Sequence, residues 1–267
     1  MHRWLYFWSG FIACFALSWA SACGGGSSGD VPLPVSPRYD TLGFGYYNAN
    51  GDAQLVADHA TIWMESGWTG APGNPGGGVP AIVAHLALAK ALGINRAILA
   101  VNFDPAQLAY TFDQLQSASL LDMVVALYIG DELDLTPFTD AQIVAGCAIV
   151  RQVASRFPEL ANVALASIWS ASGRRPGQSA LNWVGVDKYG SGPQMVPLLP
   201  GQRLLIVAGG SDPWRESAQV YVDFGLAHSE VIAVIAFLCE WPQGEPGGIC
   251  NNGMLPSYRA AALGIPR

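Results

Sequence analysis

Eight short apolar runs rich in β-forming residues alternate with longer helical patterns, and this alternation limits the possible folds more than any other feature of the chain. Strands and helices that alternate in this way are typical of repeated βα units around a parallel sheet. The predicted strands cover residues 41–47, 60–64, 96–102, 122–129, 162–166, 183–187, 203–208 and 231–237. The predicted helices cover residues 80–92, 105–117, 140–157, 213–226 and 255–262.

The number of units favours a closed barrel over an open sheet. A (β/α)8 barrel typically needs about 250 residues, and residues 39–267 come close to that length. A doubly wound sheet would place a glycine-rich phosphate turn after its first strand. Gly43 and Gly45 instead lie inside the first predicted strand, and no GxGxxG motif follows. We therefore predict one α/β domain, a single (β/α)8 (TIM) barrel over residues 39–267.

The N-terminus has the features of an export signal. A basic start at residues 1–3 precedes an apolar run at residues 4–20 and a set of small residues before Cys23. This order predicts a signal peptide over residues 1–22. The apolar run is shorter than the roughly 20 residues that a membrane-spanning helix needs.

The end of this segment carries a resemblance to a known class of proteins. Residues 20–23 resemble the lipobox of bacterial lipoproteins, with Ala20 where that motif usually has Leu. The resemblance implies a lipid on Cys23 that anchors an exported protein to a membrane, and Gly24 after it implies the outer membrane or cell surface. Residues 23–38 are rich in Gly, Ser and Pro, which predicts a flexible tether.

Composition excludes several classes of function. The formal net charge is -7, with 13 Lys and Arg against 20 Asp and Glu, so we expect no nucleic-acid partner. Hydrophobic residues make up 51% and charged residues 12%, which excludes a disordered chain. The 4 histidines form no HxH or HxxH pair, so we expect no metal site. We expect no cofactor and a monomer.

The cysteines predict one disulfide. Of the 5 cysteines, Cys14 lies in the signal peptide and Cys23 is the lipidation candidate. Cys239 and Cys250 flank a loop rich in Gly and Pro, and an exported protein can form a disulfide there. We predict that bond, and we predict that Cys147 is buried in a helix.

The candidate functional residues follow the predicted strands, because active sites of (β/α)8 barrels lie at the C-terminal strand ends. The candidate catalytic residues are Glu132, Asp131, Glu240 and Asp187. The candidate substrate-binding residues are Tyr46, Tyr47, Trp68, Asn102, Tyr189 and Trp241. Sugar rings stack on aromatic rings, and cleavage of a glycosidic bond needs a carboxylic acid and a carboxylate. We therefore expect an oligo- or polysaccharide ligand.

Three segments resemble the clan A (β/α)8 glycoside hydrolases. The sequence YIGDE at residues 128–132 resembles the strand-4 end of these enzymes, where an acidic residue or Asn precedes the acid/base Glu. Residues 185–190 are similar to their strand-6 segment, which ends in a tyrosine that faces the substrate, and Trp241 resembles the aromatic platform after strand 8. The resemblance implies that Glu132 is the acid/base.

The resemblance ends at strand 7, where the clan places its nucleophilic Glu. Residues 204–212 contain no Glu, so Asp212, Glu216 and Glu240 remain candidates to face Glu132. The leading hypothesis is a glycoside hydrolase-like protein that acts on extracellular or cell-envelope carbohydrate. A non-catalytic carbohydrate-binding barrel and a scaffold lipoprotein of the cell envelope are the alternatives.

Overall fold

The strands of the barrel close in chain order, with each strand parallel to the next and the last paired with the first. The computed structural model describes residues 41–47, 53–65, 78–170, 173–210, 214–237, 239 and 248–266. The strands are β1 (Gly43–Tyr47), β2 (Ile62–Glu65), β3 (Ala97–Ala100), β4 (Val124–Asp131), β5 (Ala164–Ser170), β6 (Trp183–Asp187), β7 (Arg203–Gly209) and β8 (Val231–Phe237). The helices are α1 (Ala53–Val56), α2 (Gly78–Ala91), α3 (Pro105–Ser117), α4 (Asp140–Ala154), α5 (Ala218–Ala227) and α6 (Leu255–Leu263). The predicted (β/α)8 barrel is confirmed.

The predicted signal peptide, Cys23 and the tether lie outside the described residues and stay predictions. None of the helices in the described part of the chain is both long enough and apolar enough to cross a membrane. The predicted disulfide is confirmed: Cys239 and Cys250 are bonded, with their Cα atoms 5.1 Å apart. Cys147 is a free, buried thiol on α4.

Local sequence fixes where the helices before the active-site strands begin. The Asp104 carboxylate caps α3 by accepting the N–H groups of Ala106 and Gln107, and Pro105 needs no such partner. Thr139 and Gln142 form a reciprocal capping box at the start of α4. These caps satisfy N–H groups that have no partner inside a helix.

The helix predicted at residues 213–226 begins later than expected, at Ala218. Arg215 has a positive φ of 45°, which no α-helix accepts. The Glu216 N–H donates to the Gly209 carbonyl at 2.9 Å. Glu216 therefore lies in the connection after β7, at the edge of the barrel, and not on the helix.

Two apolar layers hold the barrel together. Alternate positions on each strand point into the barrel or toward the helices, as the period of a strand requires. The interior layer includes Met64, Ile98, Tyr128, Ile168, Trp183, Leu205 and Ile235. The outer layer includes Trp63, Leu86, Phe112, Val150, Trp169, Tyr221 and Tyr258. Trp63, Trp169 and Trp183 are core residues.

The seam between β1 and β8 carries a polar chain on its outer side. The Tyr46 hydroxyl shares a hydrogen bond with His59 Nε2 at 2.8 Å, and His59 Nδ1 lies 2.6 Å from Asp58 Oδ1. Arg259 on α6 donates from Nε to Asp58 Oδ2 at 2.6 Å. Hydrogen bonds from Arg259 and His59 lower the pKa of Asp58 to about 2. These contacts join the first strand to the last helix.

Candidate active site

Carboxylates and tyrosines from several strands meet at the C-terminal mouth of the barrel. They surround a small cavity lined by Tyr47, Tyr128, Asp131, Ile168, Asp187, Val207, Ile235 and Phe237. The structure therefore brings together Asp131, Asp187 and Tyr47, three of the candidates chosen from the sequence. Tyr128 and Phe237 were not among those candidates. Their inward-facing positions near the ends of β4 and β8 are the signal that would have found them.

A β-bulge at the end of β4 sets the direction of the Asp131 and Glu132 side chains. Tyr128 pairs with Ala166 of β5 but Asp131 pairs with Ile168, so β4 contains one extra residue. Gly130 has φ 159°, and a Cβ there would lie 2.5 Å from Leu133 Cδ2. The bulge ends at Glu132 in the left-handed region, with φ 45° and ψ 42°. This conformation is unfavourable for a residue with a side chain and persists only where the surrounding structure enforces it, as active sites often do.

Asp131 is a carboxyl with a tyrosine as its hydrogen-bond donor. The Tyr128 hydroxyl donates to Asp131 Oδ1 at 2.8 Å. Burial raises the pKa of Asp131 to about 6, against the opposing effects of the Tyr128 hydrogen bond and of one from the Glu132 backbone. Asp131 is therefore mostly ionised at neutral pH.

Glu132 keeps its proton to higher pH than an ordinary glutamate. Burial, followed by the charges of Asp131 and Asp134, raises the pKa of Glu132 to about 7. Asp134 is buried and accepts hydrogen bonds from the N–H and hydroxyl of Ser170, which hold it beside the β4 end. A half-protonated carboxyl at neutral pH is what a general acid requires.

Asp187, the last residue of β6, has an unsatisfied oxygen beside the cavity. Burial and the nearby Asp131 charge raise the pKa of Asp187 well above its usual value. The Tyr189 hydroxyl is near enough to lower that pKa, yet neither it nor Asp187 Oδ1 has a partner with hydrogen-bond geometry among the described residues. Buried polar atoms normally have partners. A polar ligand group or water molecule in the mouth would satisfy both atoms.

Four aromatic rings form a row across the mouth, which we call the aromatic row: Tyr47, Phe237, Tyr189 and Trp214. Neighbouring ring centroids in the row lie 5.5 Å, 5.3 Å and 4.4 Å apart in that order. Tyr47 and Tyr189 therefore lie where the sequence predicted. Trp214 is not among the sequence candidates, because residues 213–226 are predicted to form one helix.

The end of β7 has a glycine where the resemblance would place a nucleophilic glutamate. A Cβ on Gly209 would lie 2.6 Å from both Glu216 Oε2 and Tyr189 Cδ1. The Glu216 carboxylate accepts the N–H groups of Gly209, Gly190 and Gly192 at 2.8, 2.9 and 3.2 Å. Glu216 thus fills this space but is engaged with the backbone. Asp212 lies outside the described residues.

Two of the substrate-binding candidates do not reach the cavity. Tyr46 is 2% exposed and faces the helices, because it is offset by one residue from the inward-facing Tyr47. Asn102 orders the turn before α3 by donating to Gln107 and accepting from the Asp104 N–H.

Three of the candidate residues have no described position. Trp68, Glu240 and Trp241 lie outside the described residues. Among the residues with described positions, no group of three His, Cys, Asp or Glu side chains is placed to hold a metal ion.

Comparison with known proteins identifies the fold. The sequence matches no protein-family model and no curated protein sequence. A GH128 endo-β-1,3-glucanase from Sorangium cellulosum matches with a TM-score of 0.53 at 11% identity, over 85% of this chain and 99% of that chain. A GH26 endo-β-1,4-mannanase from Bacillus sp. JAMB-750 matches with a TM-score of 0.52 at 13% identity, over 84% and 86% of the two chains. A fungal β-1,4-galactanase structure matches with a TM-score of 0.50 at 12% identity, over 75% and 85%. The chain therefore has the (β/α)8 fold that these structures share.

Proposed function

We propose that this protein is a glycoside hydrolase that acts on extracellular or cell-envelope polysaccharide, with Glu132 as its general acid/base. The observation that carries the proposal is the state of Glu132. It stands at the end of β4 in a left-handed backbone conformation, and its pKa is raised to about 7. The structural neighbours named above are polysaccharide-cleaving enzymes with the same fold, and they support this choice of substrate class.

The carboxyls of the mouth can divide the work of glycosidic cleavage. Protonated Glu132 gives its proton to the glycosidic oxygen, which keeps the electron pair of the breaking C–O bond and leaves as an alcohol. Positive charge then develops at the anomeric carbon, and ionised Asp131 stabilises it. Water adds to that carbon, and its surplus proton passes to a carboxylate.

Which carboxylate receives that proton depends on charge. Asp187 is harder to ionise than an ordinary aspartate, because burial and the nearby Asp131 charge raise its pKa well above the usual value. Glu132 is ionised once it has protonated the leaving group, and its pKa of about 7 makes it a better acceptor than Asp131, whose pKa is about 6. Glu240 stays a candidate for the same role.

A specific observation favours a second function, carbohydrate binding without cleavage. The β7 end lacks a glutamate, and the space there is filled by Tyr189 and by Glu216, which is held by three backbone N–H groups. The aromatic row is present in either case. A binding protein would keep these rings and need no proton donor.

Release of reducing ends from a panel of β-1,3-glucan, β-1,4-mannan and β-1,4-galactan tests the proposal. Glu132→Gln keeps the shape of the side chain but removes its acidic proton, so we expect turnover to fall by about 10²-fold or more with binding retained. The matched control is Glu159→Gln, because Glu159 is exposed and precedes β5 at the opposite end of the barrel. Cleavage that survives Glu132→Gln within a few-fold would exclude the assigned role. Binding without cleavage by the wild type would establish the second function.

We also propose that the protein is an exported lipoprotein at the outer membrane or cell surface, tethered through Cys23. The lipobox-like residues 20–23 and the Gly/Ser/Pro segment after them support this proposal. Cys23→Ala should move the protein from the membrane fraction to the soluble fraction. Mass spectrometry of the mature N-terminus would contradict the proposal if it found residues 1–22 still attached.

A further inference from the structure

We propose that Trp214 and Tyr189 form a stacking subsite for a neutral pyranose ring on the β6–β7 side of the mouth, and that Glu216 is the residue that positions them. The inference rests on the carbohydrate ligand of the proposed function. It adds Trp214 and the positioning role of Glu216, neither of which a sequence motif indicated.

Among the residues with described positions, the aromatic row ends at Trp214, and this is where a ligand can stack. The Tyr189 ring lies between Phe237 and Trp214, with centroids at 5.3 and 4.4 Å, so both of its neighbours within the row are rings. Trp214 ends the row and its side chain is only partly buried. A tryptophan with accessible surface at the end of a stack offers a flat apolar face, and the C–H face of a sugar ring complements it.

Glu216 joins the two segments that carry these rings. Its Oε1 accepts the N–H groups of Gly190 and Gly192 in the loop after β6, and its Oε2 accepts the N–H of Gly209 at the end of β7. This carboxylate thus fixes Gly190, the residue that follows Tyr189. Glu216 itself lies two residues after Trp214 in the chain. Hydrogen bonds to an ionised acceptor are stronger than neutral ones, so this contact restrains both rings.

The backbone beside Trp214 is held in an unfavourable conformation. Arg215 has φ 45°, and its Nη2 donates to the Asn252 carbonyl at 2.7 Å. Such conformations persist only where surrounding contacts enforce them, and they concentrate at functional sites. Here the enforced turn holds the Trp214 side chain at the rim of the mouth. A connection that only led to α5 would not need this turn.

The charge of the mouth selects the class of sugar. Asp131 and Asp187 line the same cavity. The charges of Asp131 and Glu132 raise the pKa of Asp187, and Glu216 contributes as well. A uronic acid would bring another negative charge to this cluster, and like charges at short range repel. The subsite therefore favours neutral sugars over acidic ones.

Affinity electrophoresis tests the subsite without requiring hydrolysis. Glu132→Gln protein is run through gels containing β-1,3-glucan, β-1,4-mannan, β-1,4-galactan or polygalacturonate. We expect retardation by at least one neutral polymer. Trp214→Ala in the same background should weaken that binding about tenfold, which corresponds to the loss of one good stacking contact. Tyr110→Ala removes an exposed aromatic ring on α3 and should leave binding unchanged.

A second variant separates stacking from folding. Trp214→Leu keeps apolar bulk at the position but removes the ring, and it should lose binding to the same degree as Trp214→Ala. Glu216→Gln should also weaken binding, yet add nothing further in the Trp214→Ala background, because it acts through the ring. Additive losses would contradict the positioning role.

Three results would overturn the subsite: binding unchanged in both Trp214 variants, retardation by polygalacturonate only, or no retardation by any neutral polymer. Failure of the hydrolase proposal gives a different pattern, since wild-type protein would then release no reducing ends while binding still depended on Trp214.

Discussion

The folded protein should become less stable as the pH rises because of Glu132. The variant Glu132→Gln should not show this loss of stability. The pKa of Glu132 is raised from 4.5 to about 7 in the folded state. Between these values the unfolded chain has already lost a proton that the folded protein still holds. Folding stability therefore falls as pH rises through this window and is unaffected below about pH 4.

The size of the effect follows from the pKa. A rise in pKa of this extent lowers the free energy of unfolding by about 3 kcal/mol at most. Glu132 is only partly buried, so solvent screening lowers the expected value to about 1–3 kcal/mol. Gln has the shape of Glu and has no charge, so Glu132→Gln should be more stable than the wild type by this amount at pH 8 and equally stable at pH 4.

Urea denaturation at pH 4 and pH 8 measures both values, with Glu159→Gln as the control that should shift neither. Equal stabilities at pH 8, or a less stable Glu132→Gln protein, would refute the reasoning, because the carboxylate would then carry no cost of burial. If Glu132→Gln is more stable but loses turnover, the wild-type residue costs stability in return for activity, as is common at functional sites.

Three further predictions concern the mouth and its support. Tyr128→Phe removes the hydrogen bond at 2.8 Å to Asp131, so the pKa of Asp131 should rise by about 1 unit or more, as measured by ¹³C NMR of the carboxyl. Gly209→Ala should destabilise the protein by about 1–3 kcal/mol in thermal denaturation, because its Cβ would lie 2.6 Å from two groups; Gly264→Ala, at ordinary φ -75° and with its nearest contact at 3.3 Å from the Ala261 carbonyl, should destabilise the protein less. Cys239→Ser should lower the free energy of unfolding by about 2–3 kcal/mol, because it opens a short loop.

The barrel could be predicted because eight strand patterns can be counted along the chain, most of them separated by helical patterns. The bounds of its elements depended on contacts that sequence does not display. The bulge at Gly130 extends β4 through Asp131, beyond the predicted end at residue 129. The helix predicted from residue 213 begins at Ala218, because Glu216 makes backbone contacts with segments distant in sequence.

The site was partly predictable for a related reason. Positions at strand ends could be counted, and these gave Asp131, Glu132 and Asp187. The face on which a side chain lies depends on register within the barrel, and a difference of one residue placed Tyr46 among the helices. The Tyr128 hydroxyl donates to Asp131 on the same strand because the bulge between them turns both side chains to one face, and the sequence pattern does not display that bulge.

The seam between β1 and β8 has a consequence for how the molecule is made. Phe44 pairs with Val234, and Arg259 reaches back to Asp58, 201 residues earlier. A chain emerging from the ribosome therefore exposes the unpaired edge of its first strand until nearly all of the sequence has been synthesised. Contacts of such long range make folding slow, and an open strand edge invites pairing with other chains. The chain can cover this edge only when β8 has been synthesised and pairs with β1.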